Sequence, residues 1–400
     1  AALRSPMPWI GGAKRCFLCV DSCRRCFTRA DPEQTALRNR ILSIDQERDI
    51  VYSIFPPRRI ARFFKFERPI GAGGYGTVFL AVATPEGLQQ IENLEEGRKY
   101  AVKRIPMKRH GLSEEVGRSL IGVTLERHLQ VLDMMQNPGC FADYFVQFHA
   151  FIAEVPRNIY QVMEFLEGPD LFDYIAGRER TVPEATASRL AKQVFTAMHH
   201  LHRRLGAIHR DIKPENFGFA GPVPPDGSGL PMPSLKLFDM GLAWILPEAV
   251  AEATSHELLD LSRAGTPLYM APETWDGRFG PPTDIWSGGL ITYLLLSLEL
   301  PFGLLTSSSP LDAIRRHTLT FEPGCWNEVS VAARDLIAST LEKDPRQRAP
   351  TSEILANPWL ATPGRGPGIA RRATDSLPAR SRRGGESSDL WQTAASVAWH

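Results

Sequence analysis

The sequence predicts an α+β protein of two lobes, a small lobe built on an antiparallel sheet and a larger lobe that is mostly helical. From Phe63 the chain runs through short strand-like segments, FFKFERPIG, GTVFLAVA and KYAVKRI. After Gly168-Pro169 the apolar residues recur mostly at helical spacing. Because one short crossing joins the two patterns, we expect a cleft between the lobes in which a ligand binds.

The order of elements divides the chain into four segments. Asp31 is a good helix N-cap with Pro32 behind it, and apolar residues follow at helical spacing. Within the small lobe we expect a helix from about Ser113 to Met135, and then strands at Phe145–Ile152 and Ile159–Phe165. The predicted segments are a flexible basic arm with cysteines (1–30), an N-terminal helix and linker (31–62), the main domain (63–360, with a small lobe at 63–163 and a large lobe at 168–360) and a disordered basic tail (361–400).

Composition excludes several classes of protein. Apolar residues make up 43% and charged residues 23% of the chain, close to the globular average, which excludes a fully disordered or collagen-like protein. No apolar stretch approaches the roughly 18 residues of a membrane-spanning helix. The stretch Leu290–Leu298 is interrupted by Thr292 and Ser297, so it predicts a core helix. No apolar stretch of about 7–15 residues follows the first residue, which argues against secretion and favours a cytoplasmic location.

The net charge of +1 hides an uneven distribution. Residues 1–30 carry +5 and residues 361–400 carry +3, so residues 31–360 carry −7. Basic ends on an acidic body are typical of tails that contact a membrane surface, nucleic acid or the body itself, and also of solvated disorder. No motif points directly to nucleic acid, and these readings of the ends stay open.

Four of the six cysteines lie close together in the arm, within CFLCVDSCRRC. A zinc ribbon separates its two C-x2-C pairs by about 15–20 residues, whereas only three residues separate them here. Cysteines beside basic and aromatic residues are also typical of reversible acylation, which would bring the arm to a membrane. Acylation, metal binding and no special role therefore all stay open for Cys16, Cys19, Cys23 and Cys26.

A glycine-rich turn stands between the first two predicted strands. Gly71-Ala72-Gly73-Gly74-Tyr75-Gly76 matches G-x-G-x-x-G, and a strand that includes Val78 follows it, not the helix of a dinucleotide-binding fold. Glycines here let backbone N–H groups come close to phosphate oxygens. Lys103 lies one hairpin further on and can reach the same phosphates if a carboxylate holds it. Glu126, on the predicted helix, is the best placed for that.

Three further motifs follow in order along the chain. They are His209-Arg210-Asp211-Ile212-Lys213-Pro214-Glu215-Asn216, Phe238-Asp239-Met240-Gly241 and Ala271-Pro272-Glu273. With them the sequence resembles the eukaryotic protein kinase family over about residues 64–360, and the first motif resembles its serine/threonine class. EGPDLFDYI and LEKDPRQRAPTSEILANPWL resemble the calcium/calmodulin-dependent group, which includes calcium-dependent kinases. The resemblance implies the two-lobed protein kinase fold.

The resemblance also implies a role for each motif residue in transferring the γ-phosphate of ATP to Ser/Thr hydroxyls of proteins. Asp211 would accept the proton of the substrate hydroxyl, and Lys213 would lie near the transferred phosphate. Asn216 and Asp239 would ligate Mg²⁺, for which Mn²⁺ can substitute. Thr266 would hydrogen-bond within the site. The nucleotide would be held by the glycine-rich turn, by Val78 and Ala101 above the adenine, by Lys103 with Glu126, by the crossing at Met163, Glu164 and Leu166, by Asp170 near the ribose, and by Gly218 below the adenine.

Two positions depart from the family pattern. Met240 replaces the usual Phe after the metal-binding Asp, and its adaptable apolar side chain is expected to preserve the packing. Gly218 stands where the family has an apolar side chain, and we expect this loss to enlarge the nucleotide pocket. The alternative to an active kinase is a pseudokinase scaffold that binds nucleotide or partners without transfer, against which the intact charged residues of the motifs argue.

Carboxylates near the site predict the substrate. Asp170 and Glu215 match positions that, in related kinases, receive an Arg three residues before the acceptor. Leu294 stands where a kinase that demands a second Arg has Glu. We therefore expect protein substrates of the form R-x-x-S/T, with the next Arg optional. Thr374, in RRAT of the tail, fits this pattern as an autophosphorylation site.

The resemblance also raises the question of regulation. Arg210 usually implies a phosphate on the activation loop, yet Trp244 and Gly122 stand where the family has further cations. We expect activity without obligatory loop phosphorylation, and expect Glu273 to pair with Arg348 within the large lobe. Control by calcium or calmodulin stays open, because no D-x-[DN]-x-[DN]-G loop is present. The acids that could hold the activation loop in place of a phosphate are Glu248, Glu252, Glu257 and Asp260.

Overall fold

The structure is a computed structural model, and it describes residues 59–73, 76–106, 143–154, 158–226, 228, 230–246 and 258–361, all within one compact unit. The predicted helices in 31–62 and at 113–135, the cysteine-containing arm and the basic tail lie outside these residues. No helix among the described residues is long and apolar enough to cross a membrane.

The small lobe is an antiparallel sheet of five strands in the part of the chain that is described, in the order β1-β2-β3-β5-β4. β1 and β2 form the expected strand-turn-strand hairpin across the glycine-rich segment. A short helix, α1, leads from β2 towards β3 and begins at the N-cap Thr84, whose side chain accepts a hydrogen bond from Gly87 N at 3.1 Å. The elements are β1 (Phe64–Gly73), β2 (Gly76–Ala83), α1 (Pro85–Gln90), β3 (Lys99–Pro106), β4 (Phe148–Glu154) and β5 (Asn158–Glu164).

The period of two along β3 assigns its side chains to opposite faces of the sheet. Tyr100 and Val102 belong to an apolar cluster on one face. Ala101 belongs to a second cluster on the other face, which Lys103 shares by its position in the strand. The alternation therefore presents Ala101 and Lys103 together.

The large lobe is mostly helical and is built around one helix, α4, in which every residue from Pro281 to Ser297 is buried. Because this helix is apolar on nearly all sides, it lies inside the lobe and other elements pack around it. This confirms the predicted core helix. The helices are α2 (Leu171–Ala176), α3 (Glu184–Arg203), α4 (Pro281–Ser297), α5 (Pro310–Arg316), α6 (Val331–Thr340), α7 (Thr351–Ala356) and α8 (Pro358–Ala361).

Short strands and 3-10 turns connect these helices and carry the polar motifs. The short strands pair as β6 with β9, β7 with β8 and β10 with β11. They are β6 (Ala207–Ile208), β7 (Phe217–Phe219), β8 (Leu235–Leu237), β9 (Trp244–Ile245), β10 (Leu259–Asp260) and β11 (Arg278–Phe279). The 3-10 turns are Ile60–Arg62, Pro214–Asn216, Met240–Leu242, Pro267–Tyr269, Pro272–Asp276, Pro301–Gly303 and Cys325–Asn327.

A buried ion pair links the end of the third motif to the segment before α7. Arg348 Nη1 donates to Glu273 Oε1 at 2.7 Å and Nη2 donates to Oε2 at 3.2 Å. The guanidinium also donates to the carbonyls of Pro282 and Glu342 and lies 5.2 Å from the ring centroid of Trp286. The expected pair of Glu273 with Arg348 is thus confirmed, as is the predicted two-lobed α+β fold class.

Candidate active site

A buried carboxylate on α4 fixes the loop that follows β6. Asp284 Oδ2 accepts the backbone N–H of His209 at 2.8 Å, and Oδ1 accepts that of Arg210 at 2.9 Å. His202 Nε2 lies 2.8 Å from Oδ2. Burial alone raises the pKa of Asp284, but the interactions of its carboxylate with His202 and His209 together outweigh burial and hold the pKa below its ordinary value. An ionised anchor therefore sets the position of the next residue, Asp211.

Asp211 lies at the centre of a polar network. Its Oδ1 accepts the backbone N–H of Thr266 at 2.8 Å and the hydroxyl of the same residue at 2.7 Å. Lys213 Nζ is 3.0 Å from Asp211 Oδ2 and donates to Thr266 Oγ1 at 2.7 Å. Burial works against the charge of Lys213, but the Asp211 carboxylate outweighs it and raises the pKa of Lys213. The network brings together three residues that the sequence predicted for one site, and it keeps the lysine charged beside the carboxylate.

Asn216 and Asp239 provide hard oxygen atoms next to this network. Asn216 Nδ2 donates to the carbonyl of Asp211 at 2.7 Å, so its Oδ1 is the amide atom that can ligate a cation. Asp239 has a left-handed backbone with φ 58°, an uncommon conformation that Asp adopts more readily than most residues. Among the described residues, no three His, Cys, Asp or Glu side chains are grouped as a metal site. A carboxylate and an amide oxygen fit Mg²⁺, which takes one or two protein ligands together with phosphates and water.

Lys103 of β3 reaches across the cleft to the second of these residues. Its Nζ lies 2.6 Å from Asp239 Oδ1, and its side chain is largely buried. Glu126, the partner predicted from the sequence, lies outside the described residues. The lysine and Asp239 therefore stand together at the place where the sequence predicted the phosphates to bind.

The predicted adenine residues gather in one apolar cluster. Ala101 and Met163 are buried in it, and Val78 and Leu166 pack against it as partly exposed side chains. Phe238, which the sequence did not predict for this role, packs against the same cluster. The glycine-rich segment lies in the β1–β2 hairpin, with Gly71, Ala72 and Gly73 at the end of β1 and Gly76 at the start of β2; Gly74 and Tyr75 lie outside the described residues.

Gly218, where the sequence predicted an enlarged nucleotide pocket, is closely surrounded by other side chains. A Cβ atom added to Gly218 would lie 2.6 Å from Leu166 Cδ1 and 3.2 Å from Phe238 Cε1. Both distances are shorter than ordinary van der Waals contact. The side chains of Leu166 and Phe238 thus border Gly218, and the enlargement of the nucleotide pocket stays a prediction.

The crossing between the lobes is tied down by the side chain of Glu164. Its Oε1 accepts Lys236 Nζ of β8 at 2.6 Å and the backbone N–H of Gln147 at 2.6 Å. Just beyond the crossing, Asp170 caps α2, and its Oδ1 accepts the backbone N–H of Asp173 at 2.7 Å. Burial raises the pKa of Asp170 to about 6. The crossing therefore leads directly to a poorly solvated carboxylate.

Three residues that position the site were not predicted from the sequence. Asp284, which precedes the predicted core stretch Leu290–Leu298, had no predicted role, although an acid beside an apolar helical stretch is a sign of a buried hydrogen-bonding role. Lys236 alternates with buried leucines on a short strand, which the sequence could not pair with the crossing. Phe238 was read only as the residue before Asp239.

Comparison with known proteins agrees with this geometry. Residues 64–360 match the protein kinase domain family. The chain is 29% identical over 309 residues to calcium-dependent protein kinase 25 of Arabidopsis thaliana. The aligned residues make up 77% of this chain and 52% of that protein. It is 29% identical over 313 residues to calcium-dependent protein kinase 15 of Oryza sativa subsp. japonica, covering 78% and 51%. With calcium-dependent protein kinase 24 of A. thaliana the identity is 36% over 211 residues, covering 53% and 33%.

The chain thus spans about half the length of most of these curated relatives. The family match, however, covers most of the chain and includes the motifs that build the site. The glycine-rich hairpin, Lys103, the loop around Asp211 and Asp239 all fall within the matched residues. The chain therefore belongs to the protein kinase family.

Proposed function

We propose that this chain is an active serine/threonine protein kinase that transfers the γ-phosphate of ATP to hydroxyl groups of proteins. The observation that carries the proposal is the network in which Asp211, Lys213 and Thr266 are joined within 3.0 Å. Phosphoryl transfer requires mainly alignment of the reactants and neutralisation of charge, and both can come from such a preformed polar site.

Each residue of the network has a definite task in this reaction. Asp211 orients the substrate hydroxyl and takes its proton as the oxygen forms its bond to the γ-phosphorus and ADP leaves. Lys213, kept charged by Asp211, stabilises the negative charge on the transferred group. Lys103 holds the α- and β-phosphates, while Asn216 and Asp239 supply the metal ligands. Bound Mg²⁺, or Mn²⁺ in its place, neutralises phosphate charge.

Phosphate transfer from ATP to an R-x-x-S peptide tests the proposal directly. The matched control is Asp211→Asn, which keeps the size of the side chain and removes the base. We expect the control to lower kcat by about 10²–10⁴ while nucleotide binding persists. Binding of ATP without transfer by the parent would favour the pseudokinase alternative.

We further propose a preference for Arg three residues before the acceptor. Burial raises the pKa of Glu215, and the nearby charges of Asp211 and then Asp170 add to the shift. Glu215 Oε2 is buried and has no hydrogen-bond partner among the described residues. An arginine guanidinium would supply the missing donors and the opposite charge. Leu294 is fully buried in α4, which supports a second Arg being optional.

Calcium-linked control is proposed only from the names of the relatives, which are calcium-dependent kinases. The 400 residues contain no D-x-[DN]-x-[DN]-G loop, so the proposal does not specify whether calcium acts directly or through calmodulin. The test compares transfer in calcium with and without calmodulin against transfer in a calcium chelator. Equal rates in all conditions would remove this proposal and leave the kinase proposal intact.

A cytoplasmic location with membrane contact through the arm is also proposed. The support is the charge of +5 in residues 1–30 together with the four cysteines there. A hydroxylamine-sensitive lipid label on Cys16, Cys19, Cys23 or Cys26 would support acylation. Zinc bound in proportion to the protein would support metal binding instead.

A further inference from the structure

The connection between β7 and β8 is much longer than this pair of strands requires. The two strands are antiparallel neighbours, and just beyond them the backbone N–H of Ala220 donates to the carbonyl of Ser234 at 2.8 Å. A hairpin loop of about two to five residues would close such a pair. Here residues 221–233 stand between Ala220 and Ser234. Long loops in compact domains commonly carry a function, and no step of the proposed phosphate transfer uses this one.

Proline restricts the backbone of the first half of this loop. The ring of a proline fixes its own φ at about −65°, and it also favours an extended conformation of the residue before it. In Pro222-Val223-Pro224-Pro225 at least one of these effects acts on every residue. The sequence therefore favours a polyproline II helix over residues 222–225, with about three residues per turn. The prolines of the whole loop are Pro222, Pro224, Pro225, Pro231 and Pro233.

The large lobe holds one side of this segment in place. Val223 packs as a partly buried side chain against the core of the lobe, and Met232 does the same on the returning half of the loop. Directly after Pro225, the carboxylate of Asp226 pairs with the guanidinium of Arg178. That guanidinium lies 5.0 Å from the ring centroid of Tyr174, close to the end of α2. A partner would therefore meet a segment that is already ordered, which reduces the entropy lost on binding.

The other side of the segment is open to solvent. Pro222 and Pro225 are exposed, whereas Val223 and Pro224 between them are partly covered. Residues three apart lie on the same edge of a polyproline II helix, so this P-x-x-P pattern presents two prolines together. Grooves lined by aromatic rings bind such preformed segments. We propose that residues 222–225 bind an SH3-type domain, whose aromatic groove receives the two exposed prolines. The proposal goes beyond phosphate transfer and does not depend on it.

Titration of the full chain against a panel of purified, fluorescently labelled SH3 domains tests the proposal, with anisotropy as the readout. We expect at least one domain to bind the parent. Pro222→Ala and Pro225→Ala should each raise its Kd at least about tenfold, because each removes a proline that fills the groove. Pro231→Ala is the matched control, since Pro231 is an exposed proline of the same loop outside the P-x-x-P segment. Its Kd should stay within about twofold of the parent, below the cost of a central contact.

Thermal unfolding and transfer to the R-x-x-S peptide are recorded for each variant, and both should stay close to those of the parent. Three results would overturn the proposal. They are a panel in which no SH3 domain binds the parent, folded Pro222→Ala and Pro225→Ala variants that bind as tightly as the parent, and a Pro231→Ala variant that binds as weakly as they do. Purified WW and EVH1 domains form a second panel, and binding by these alone would contradict the SH3 assignment. A parent without transfer activity would contradict the kinase proposal and leave this binding test unaffected.

Discussion

Two glutamates in the large lobe contrast with each other: Glu273 is buried and Glu215 is half-buried. Glu273 is joined by two hydrogen bonds to Arg348, and its partner is further held by two carbonyls and a tryptophan ring. Glu215 has one carboxylate oxygen that is buried without a hydrogen-bond partner among the described residues, and burial raises its pKa. A carboxylate that the fold satisfies serves the fold, whereas one left unsatisfied costs stability and is typical of a group that awaits a ligand.

Substitution of one partner in the Glu273–Arg348 pair should have the largest effect of the variants proposed here, and that effect should be on the free energy of unfolding. Arg348→Ala leaves Glu273 buried without its partner, so we expect the free energy of unfolding to fall by about 3–5 kcal/mol. Arg346→Ala is the control, because its side chain is 80% exposed and its pair with Asp344 is expected to contribute less than about 1 kcal/mol. Denaturant unfolding of both variants measures the difference. Equal losses would show that burial does not separate the two arginines.

The unsatisfied carboxylate should instead affect substrate binding. Glu215→Gln removes a charge-assisted contact to the substrate Arg, worth about 1.5–3 kcal/mol, so we expect KM for an R-x-x-S peptide to rise roughly 10–100-fold. The free energy of unfolding should stay the same or increase, because a poorly solvated charge is removed. An A-x-x-S peptide and the exposed Glu353→Gln variant serve as controls. Loss of stability without a change in KM would make Glu215 a structural residue like Glu273.

Asp170 sharpens the same comparison through pH. Burial raises its pKa to about 6, so its charge is lost as pH falls from 7.5 to 5.5. We expect kcat/KM for the R-x-x-S peptide, relative to A-x-x-S, to fall roughly fourfold over that range. Because the folded pKa lies above the ordinary 3.8, protonation favours the fold, and the contribution of Asp170 to stability rises as pH falls from about 6 to about 4.

Asp170→Asn tests this assignment, because Asn caps a helix about as well as Asp. At neutral pH the variant should be as stable as the parent or more stable, because a poorly solvated charge is removed, and it should lose the pH dependence of the peptide ratio. A pH profile that is unchanged in the variant would assign the titration to another group.

The sequence predicted the charged site residues because phosphate chemistry requires those residue types in that order. Lys103, Asp211 and Asp239 are defined by motifs, and the structure brings Lys103 within 2.6 Å of Asp239. The sequence could not predict which side chains border Gly218, because Leu166 and Phe238 are far apart in the chain and only the fold brings both of them there. Packing between distant side chains follows from the three-dimensional fold and leaves no local pattern.

Asp284 illustrates the same limit from the polar side. The predicted core stretch Leu290–Leu298 begins after it, and its three partners come from residues 202, 209 and 210, which only the fold brings to it. The fold class, in contrast, follows from the periodicity of many residues and so was predictable without any single contact.

The same contrast between satisfied and unsatisfied charges applies to a cation, Arg210. Here we expect the smallest effect of all, on kcat/KM. Its guanidinium lies 4.5 Å from the ring centroid of Phe279 and 5.7 Å from that of Trp244, and it donates to the Ser262 carbonyl. The structure therefore gives it aromatic partners, as it gives Trp286 to Arg348. Of the acids predicted to hold the activation loop, Asp260 lies in β10, where its backbone is in register with that of Arg278. The other three lie outside the described residues, so their role stays a prediction.

If these contacts of Arg210 already hold the activation loop, a phosphate on that loop is unnecessary for activity. Thr254, Ser255 and Ser262 are hydroxyl residues between Asp239 and the Ala271-Pro272-Glu273 motif, where a loop phosphate could be carried. Alanine at all three together should change kcat/KM for the R-x-x-S peptide by less than about twofold, because the contact from Ser262 comes from its backbone carbonyl. Mass spectrometry of the parent would show whether those hydroxyls carry phosphate in the assayed protein. The opposite result would be a triple variant that has no activity and still unfolds at the parental temperature. Arg210 would then require a loop phosphate, because its aromatic contacts would not be enough to hold the activation loop. Its charge would then resemble that of Glu215, which is satisfied by a group from outside the fold, and not that of Arg348.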